Sequence, residues 1–121
     1  MVYKEILLNT EGIMQITLEG LVDTKVDADI LKMAPDFIRS RQQDLQLLKS
    51  AYEHKDYETI AKVCHKLKGF STPFGFTDLE TLAIHLGEAA KSKDIKALDP
   101  HYAQMESYIT KKTQQLLQLQ F

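Results

Sequence analysis

The side chain with the clearest chemical potential is His65, which opens the run His65-Lys66-Leu67-Lys68-Gly69. An imidazole has an ordinary pKa of about 6.5, so its neutral form is available as a nucleophile near neutral pH. Lys62 and Lys68 stand three residues to either side, where their charges can offset the roughly −2 charge of a phosphoryl group. These residues therefore predict a nucleophile placed to meet an anion, and the two lysines would suit a phosphoryl group if the imidazole carries one.

Helical spacing over residues 57–74 predicts that His65 is accessible. Apolar or small residues recur there at intervals of three and four and form one buried stripe: Ile60, Ala61, Cys64, Leu67, Ser71 and Phe74. Since each residue turns a helix by about 100°, His65 lies on the flank of that stripe. Gly69 shares this flank and costs a helix about 0.5–1 kcal/mol relative to alanine, so it indicates space kept for a second protein.

The motif resembles the signature of the histidine-containing phosphotransfer (HPt) family, in which a histidine is followed at fixed spacing by leucine, lysine, glycine, a small residue and a second glycine. The matching residues are His65, Leu67, Lys68, Gly69, Ser71 and Gly75. The resemblance extends from about Val26 to Lys112.

The resemblance implies a phosphorelay intermediate rather than an enzyme. His65 would accept a phosphoryl group on Nε2 from a receiver-domain aspartate and pass it to another receiver domain. The implied partners are response-regulator receiver domains and a hybrid sensor histidine kinase. The receiver would supply Mg²⁺, so we expect neither a cofactor nor a metal site on this chain.

Residues around the ring are candidates for phosphate binding and docking. Lys68 and Lys62 would stabilise the phosphate, whereas Lys66 would be solvated. The docking candidates are Glu58, Gly69, Thr72 and Gly75, with Phe70 and Phe76 as a possible apolar patch.

Two positions depart from the family pattern. Many HPt domains carry a glutamine 22 residues after the histidine that hydrogen-bonds the imidazole, and this chain has Gly87 there. A poorly oriented ring would react slowly, which leaves open a non-catalytic helical module that docks receiver or kinase domains. Pro73 removes the amide that would bond to the Gly69 carbonyl and predicts a bend just past the motif.

A metal site is the other alternative. Cys64, His65 and His85 offer ligands, but adjacent residues on a helix point about 100° apart, which disfavours a shared ion. We expect Cys64 to be a buried thiol. His54, His85 and His101 have no comparable context and are expected at the surface or at its boundary.

Composition and charge narrow the classes of partner that this chain can bind. The net charge of −2 and a pI near 6.1 disfavour nucleic acid, which is bound by a basic excess. No apolar run approaches the ~20 residues that span a bilayer, and charged residues interrupt the first segment, so we expect no membrane association and a cytoplasmic location.

The elements that must position His65 are helical. We predict an all-α fold, an up-down antiparallel four-helix bundle over residues 26–121 that begins with a short preceding helix. Residues 1–25 form an N-terminal extension, with a possible strand or hairpin suggested by alternating Met14, Ile16 and Leu18 and ended by Gly20.

Local signals predict the boundaries of the long helices. The first runs from Pro35 to about Glu53, and Asp56 caps the motif helix. A capping box from Thr77 to Glu80 starts the third, which ends near Lys93, and Asp99-Pro100 starts the last.

Overall fold

Six α-helices and one 3-10 turn account for most of residues 17–119, which are the residues that the computed structural model describes. In chain order they are α1 (Leu18–Leu21), α2 (Ala28–Leu31), α3 (Ala34–Glu53), α4 (Tyr57–Phe70), the 3-10 turn (Thr72–Phe74), α5 (Thr77–Ser92) and α6 (Ile95–Leu119). Within this part of the chain there is no strand, and no helix is both long and apolar enough to cross a bilayer. The predicted all-α bundle is confirmed.

The four long helices bury one apolar core. Each of them packs against two others, with α4 lying between α3 and α5. The largest fully buried side chains come from all four helices, from α1 and from the residue before α5: Leu21, Ile38, Leu48, Ile60, Leu67, Phe76, Leu79, Leu86, Met105 and Ile109. Burying one such side chain stabilises the fold by about 1.5–3 kcal/mol.

A buried ionic cluster joins α3 to α4. The Arg41 guanidinium lies over the rings of Phe37 and Phe70, 4.3 and 4.7 Å from their centroids, and its Nε is 2.8 Å from Oδ2 of Asp44. Burial lowers the pKa of Arg41, and the Asp44 charge opposes that shift. Asp44 also receives Lys66 Nζ at 2.5 Å. Lys66, predicted to be simply solvated, is therefore an ion-paired residue, although 52% of its side chain is exposed.

Helix α4 begins and ends where local chemistry requires. The Asp56 side chain accepts the Thr59 amide at 3.1 Å, which confirms the predicted cap. The α-helix ends at Phe70 and tightens into the 3-10 turn that contains Pro73. Gly75 then takes a φ of +92° and turns the chain toward α5. The predicted bend after the motif is confirmed.

The capping box predicted for α5 is wrong. Thr77 is already the first helical residue, and Phe76 at the N-cap makes no side-chain bond. Asp23 supplies the cap instead, because its Oδ2 accepts the Asp78 amide at 3.1 Å. The predicted end is confirmed, since Lys93 closes the helix in the left-handed region with a φ of 55°.

Helix α6 begins before the predicted Asp99-Pro100 start. It opens at Ile95, with the Asp94 carboxylate accepting the Ala97 amide at 3.3 Å, so Pro100 lies inside the helix. A proline one turn into a helix forfeits a single backbone hydrogen bond, which this long packed helix tolerates. Asp99 does not cap the helix, because it accepts the Tyr52 hydroxyl.

The described part of the N-terminal extension packs onto the bundle. Leu18, assigned above to a strand, lies in α1, whose first turn is capped by the Thr17 hydroxyl through the Gly20 amide at 3.3 Å. The rest of that predicted strand, including Met14 and Ile16, falls outside residues 17–119. Leu21 is fully buried in the core. The segment thus joins the core through Leu21, with Leu18 and Val22 packed against it.

Residues 21–24, which we call the strap, are fixed by a buried ion pair. Lys112 Nζ on α6 donates to the Leu21 carbonyl at 2.6 Å and lies 2.9 Å from Oδ1 of Asp23. The side chains of Asp23 and Lys112 are only 9% and 11% exposed. Tyr108 donates its hydroxyl to the same carboxylate at 2.5 Å, and the Asp23 amide donates to the Gly75 carbonyl at 2.7 Å.

Candidate functional site

His65 lies on the exposed side of α4, at a small cleft between α4 and α5. The cleft has a volume of about 90 Å³. Its walls are formed by Ala61, Cys64, His65, Lys68, Ala83, Ile84, Gly87, Glu88 and Lys91. The predicted exposure of the imidazole is confirmed.

The buried side chains of α4 fix this helix, which carries the His65 ring, in the bundle. Ile60, Cys64 and Leu67 are 1% exposed or less, and the buried Ser71 hydroxyl donates to the Leu67 carbonyl at 2.6 Å. Val63 is also buried, because α4 packs on both sides and its apolar stripe is wider than the predicted one. This packing fixes which flank of α4 faces solvent.

The cations at the cleft come from two helices. Lys68 lines it from α4, the helix that carries His65, and Lys91 enters from α5. Sequence reasoning missed Lys91. This residue stands one helical turn after Gly87, the position at which many HPt domains carry the glutamine that hydrogen-bonds the imidazole. Lys62 does not line the cleft. Its Nζ lies 3.7 Å from Oε2 of Glu58, and both side chains are largely exposed.

Gly87 allows α4 and α5 to pack closely. A Cβ added at Gly87 would lie 3.1 Å from the Cβ of Cys64, tighter than about nine in ten real contacts of this kind. Cys64 Cβ is attached directly to the α4 backbone, so it can yield only if the helices separate. The glycine that replaces the family's glutamine therefore lets this helix pair pack a few tenths of an ångström closer than a side chain there would allow.

Gly69 and Gly75 have opposite surroundings. A Cβ added at Gly69 would meet nothing within 4 Å. Gly75 is buried at φ +92°, and a Cβ there would lie 3.1 Å from side-chain atoms of Val22 and Val26. The prediction that Gly75 belongs to a docking face is wrong, because the strap covers it.

The remaining docking candidates divide in the same way. Thr72 is exposed, and its amide donates to the Glu80 carboxylate at 3.3 Å. Phe76 is 1% exposed and stacks on Phe37 at a centroid distance of 4.4 Å, so its proposed place in an exposed patch is wrong. Phe70 is half-buried and lines a groove of about 350 Å³ between α3 and the end of α4.

The metal alternative finds no support in the geometry. Cys64 is 1% exposed, and burial raises the pKa of its thiol to about 12. The His85 ring lies beside His101 on α6, with centroids 5.4 Å apart. Among residues 17–119 no three or more histidine, cysteine, aspartate or glutamate side chains are grouped to hold an ion.

A comparison with protein families identifies the chain. The family model described as the Hpt domain matches residues 32–118, which include α3 to α5 and nearly all of α6. No match was found among curated proteins or among solved structures.

Proposed function

The chain belongs to the Hpt domain family, and from that premise we propose that it is a cytoplasmic phosphorelay intermediate whose phosphoryl group is carried by His65. Hpt domains serve phosphotransfer in two-component phosphorelays. We further propose which residue carries the phosphoryl group, in which direction the group moves and which proteins exchange it. The group arrives from a receiver-domain aspartate and leaves to another receiver domain, and a hybrid sensor histidine kinase stands upstream.

The observation that carries this proposal is the meeting of three side chains at one cleft. His65 is exposed there, and Lys68 and Lys91 reach the same cleft from two helices. Phosphoryl transfer depends mainly on positioning and on offsetting the charge of the transferred group. Two ammonium groups beside one nucleophile meet both needs.

The His65 ring is neutral when transfer begins. The Nε2 lone pair attacks phosphorus, the bond between phosphorus and the aspartate oxygen breaks, and its electron pair stays with the aspartate. The proton on Nδ1 remains, so the phosphorylated ring carries a positive charge. In the reverse step a carboxylate oxygen attacks phosphorus and the N–P electron pair returns to Nε2.

The receiver partner supplies what this chain is not expected to hold. In our proposal the receiver contributes the aspartyl phosphate and the Mg²⁺ that offsets phosphate charge during transfer. Gly69 leaves room for the backbone of the receiver to approach, since nothing occupies the space where a Gly69 side chain would be. The exposed residues Glu58, Lys62 and Thr72 form the rim of this docking face.

The alternative is a docking module that binds receivers without accepting phosphate. Gly87 favours it, because it offers the imidazole no hydrogen bond of the kind that glutamine provides. Transfer to His65 and simple binding are separable by experiment.

The deciding experiment is intact-mass and ³¹P NMR analysis after incubation with phosphorylated receiver domains from the same genome. We expect a gain of one phosphate, labile to acid, in the wild-type chain and in His85→Gln, which alters another exposed histidine. His65→Gln should bind receivers and gain none. Label on His65→Gln would refute the site, and binding without label in the wild type would establish the docking module.

A further inference from the structure

We infer that Glu88 orients the His65 imidazole, taking the place that Gly87 leaves empty. The inference rests on the proposed function, since it concerns how the same ring is made ready to react. A neutral imidazole donates from one nitrogen and attacks with the other, so a fixed acceptor selects which nitrogen is the nucleophile. The side chain that supplies that acceptor is a positioning residue.

The chemistry of the cleft walls leaves one strong acceptor. Ala61, Ala83 and Ile84 are apolar, Gly87 has no side chain, and the two lysines only donate. The Cys64 thiol is a weak acceptor and is buried in the core. Of the side chains that line the cleft with His65, only the Glu88 carboxylate can accept an N–H strongly.

The Glu88 carboxylate is also uncommitted. Among residues 17–119 it makes no ion pair and no side-chain hydrogen bond, although its backbone carbonyl accepts the Ser92 hydroxyl at 3.0 Å. Other acids near α4 are engaged, as Glu58 lies beside Lys62 and Glu80 accepts the Thr72 amide. An exposed glutamate with no partner can turn into the cleft at little cost.

The close approach of the two helices brings Glu88 and His65 to one cleft. Gly87 packs against Cys64 Cβ, so the α5 backbone lies directly beside the turn of α4 that carries His65. Glu88 is the next residue on α5. Its carboxylate is not bonded to the ring in this structure, and such bonds commonly tighten only in the reacting complex.

The proton balance of the transfer gives Glu88 a second use. With the carboxylate accepting from Nδ1–H, the Nε2 lone pair is free to attack phosphorus. The ring becomes positive when that pair forms the N–P bond, and the carboxylate then faces a charged donor, which forms the stronger kind of hydrogen bond. Lys68 and Lys91 remain for the phosphoryl oxygens.

The test measures the tautomer of His65 by ¹⁵N NMR above the imidazole pKa, without any partner. We expect the wild-type ring to be mainly the Nδ1–H tautomer and Glu88→Ala to be mainly Nε2–H. Glu88→Gln should keep much of the wild-type signature, because its amide oxygen still accepts. Glu53→Ala removes an exposed acid that does not line the cleft and should leave the tautomer unchanged.

Transfer rates complete the test. Phosphorylation of Glu88→Ala by a phosphorylated receiver should slow by roughly 10-fold or more, by analogy with the loss of a partner that orients a metal-bound histidine, and Glu88→Gln should recover part of the rate. An unchanged tautomer in Glu88→Ala would overturn the inference, whatever the rate. If the wild type takes no label at all, the proposed function fails instead.

Discussion

The cleft at His65 and the strap around Asp23 use charged side chains in opposite ways. At the strap, Oδ1 of Asp23 pairs with Lys112, and Oδ2 accepts the Tyr108 hydroxyl and the Asp78 amide. At the cleft, Lys68, Lys91 and Glu88 are exposed and make no ion pair within residues 17–119. The charges of the strap stabilise the fold, whereas the charges of the cleft remain available to a binding partner.

This difference shows why charge alone does not identify a functional site. Buried, fully paired charges hold structure in place, whereas exposed, unpaired charges beside a nucleophile are suited to binding. Removing a partner should therefore be costly to folding at the strap and nearly neutral at the cleft.

The largest effect is expected at the strap. Lys112→Met leaves the buried Asp23 carboxylate without its counter-charge, so the free energy of unfolding should fall by about 3–5 kcal/mol. Lys32→Met, which removes a cation 3.9 Å from the exposed Asp29, should stay within about 0.5 kcal/mol of the wild type. Urea titration measures both, and equal losses would show that the strap contributes no more than a surface pair.

The next effect compares two sides of α4. Leu67→Ala removes a fully buried side chain and should cost about 2–5 kcal/mol of unfolding free energy. His65→Ala, two residues earlier on the exposed side, should change it by no more than about 0.5 kcal/mol. Reversed magnitudes in the same denaturant titration would contradict the orientation of the helix.

The two motif glycines should respond with opposite signs. Gly75→Ala places a Cβ at φ +92° against Val22 and Val26 and should destabilise the fold by about 1–2 kcal/mol or more. Gly69→Ala enters open space and should stabilise it by about 0.5–1 kcal/mol. The same Gly69→Ala variant should transfer phosphate more slowly. Thermal unfolding and transfer rates check the pair, and destabilisation by Gly69→Ala would assign that glycine to the fold.

The smallest effect concerns Cys64, beneath the cleft. Its folded pKa is raised from 9.0 to about 12, so the unfolded chain loses the thiol proton first as the pH rises. Stability should therefore be unaffected by this group below pH 9 and fall by about 1 kcal/mol between pH 9 and pH 10. Cys64→Ala should lose this component of the slope. An equal slope in both chains would show that the thiol is not held protonated by burial.

Local patterns in the sequence predicted most of the bundle. The Asp56 cap, the end of α5 near Lys93, the bend at Pro73 and the exposure of His65 all depend on residues within a turn or two of one another. These features could be read because their causes lie along the chain.

The features that sequence reasoning missed join distant residues. The cap of α5 links Asp23 to Asp78, 55 positions apart, and Lys112 donates to a carbonyl 91 positions away. Lys66 meets Asp44 across 22 positions. Thr77 has the right residue type for a cap but loses the role to Asp23. Nothing in the local pattern indicates such competition.

The candidate site was only half visible for the same reason. His65 and Lys68 share α4 and follow from spacing, whereas Glu88 and Lys91 come from α5. The sequence analysis treated Gly87 only as a position that lacks the glutamine hydrogen-bonded to the imidazole. Its close approach to Cys64 could not be predicted, because that approach depends on how two helices pack. Pairing α4 with α5 in the correct register would have placed the next residues beside the ring.

The threefold use of Asp23 bears on how this domain can be moved from one protein to another. The family match begins at residue 32, after the carboxylate that neutralises Lys112 and covers the first turn of α5. A chimaera joined at that boundary would inherit the motif around His65 together with a buried, uncompensated ammonium group. A unit that keeps this pairing therefore includes Asp23, upstream of the boundary drawn by the family.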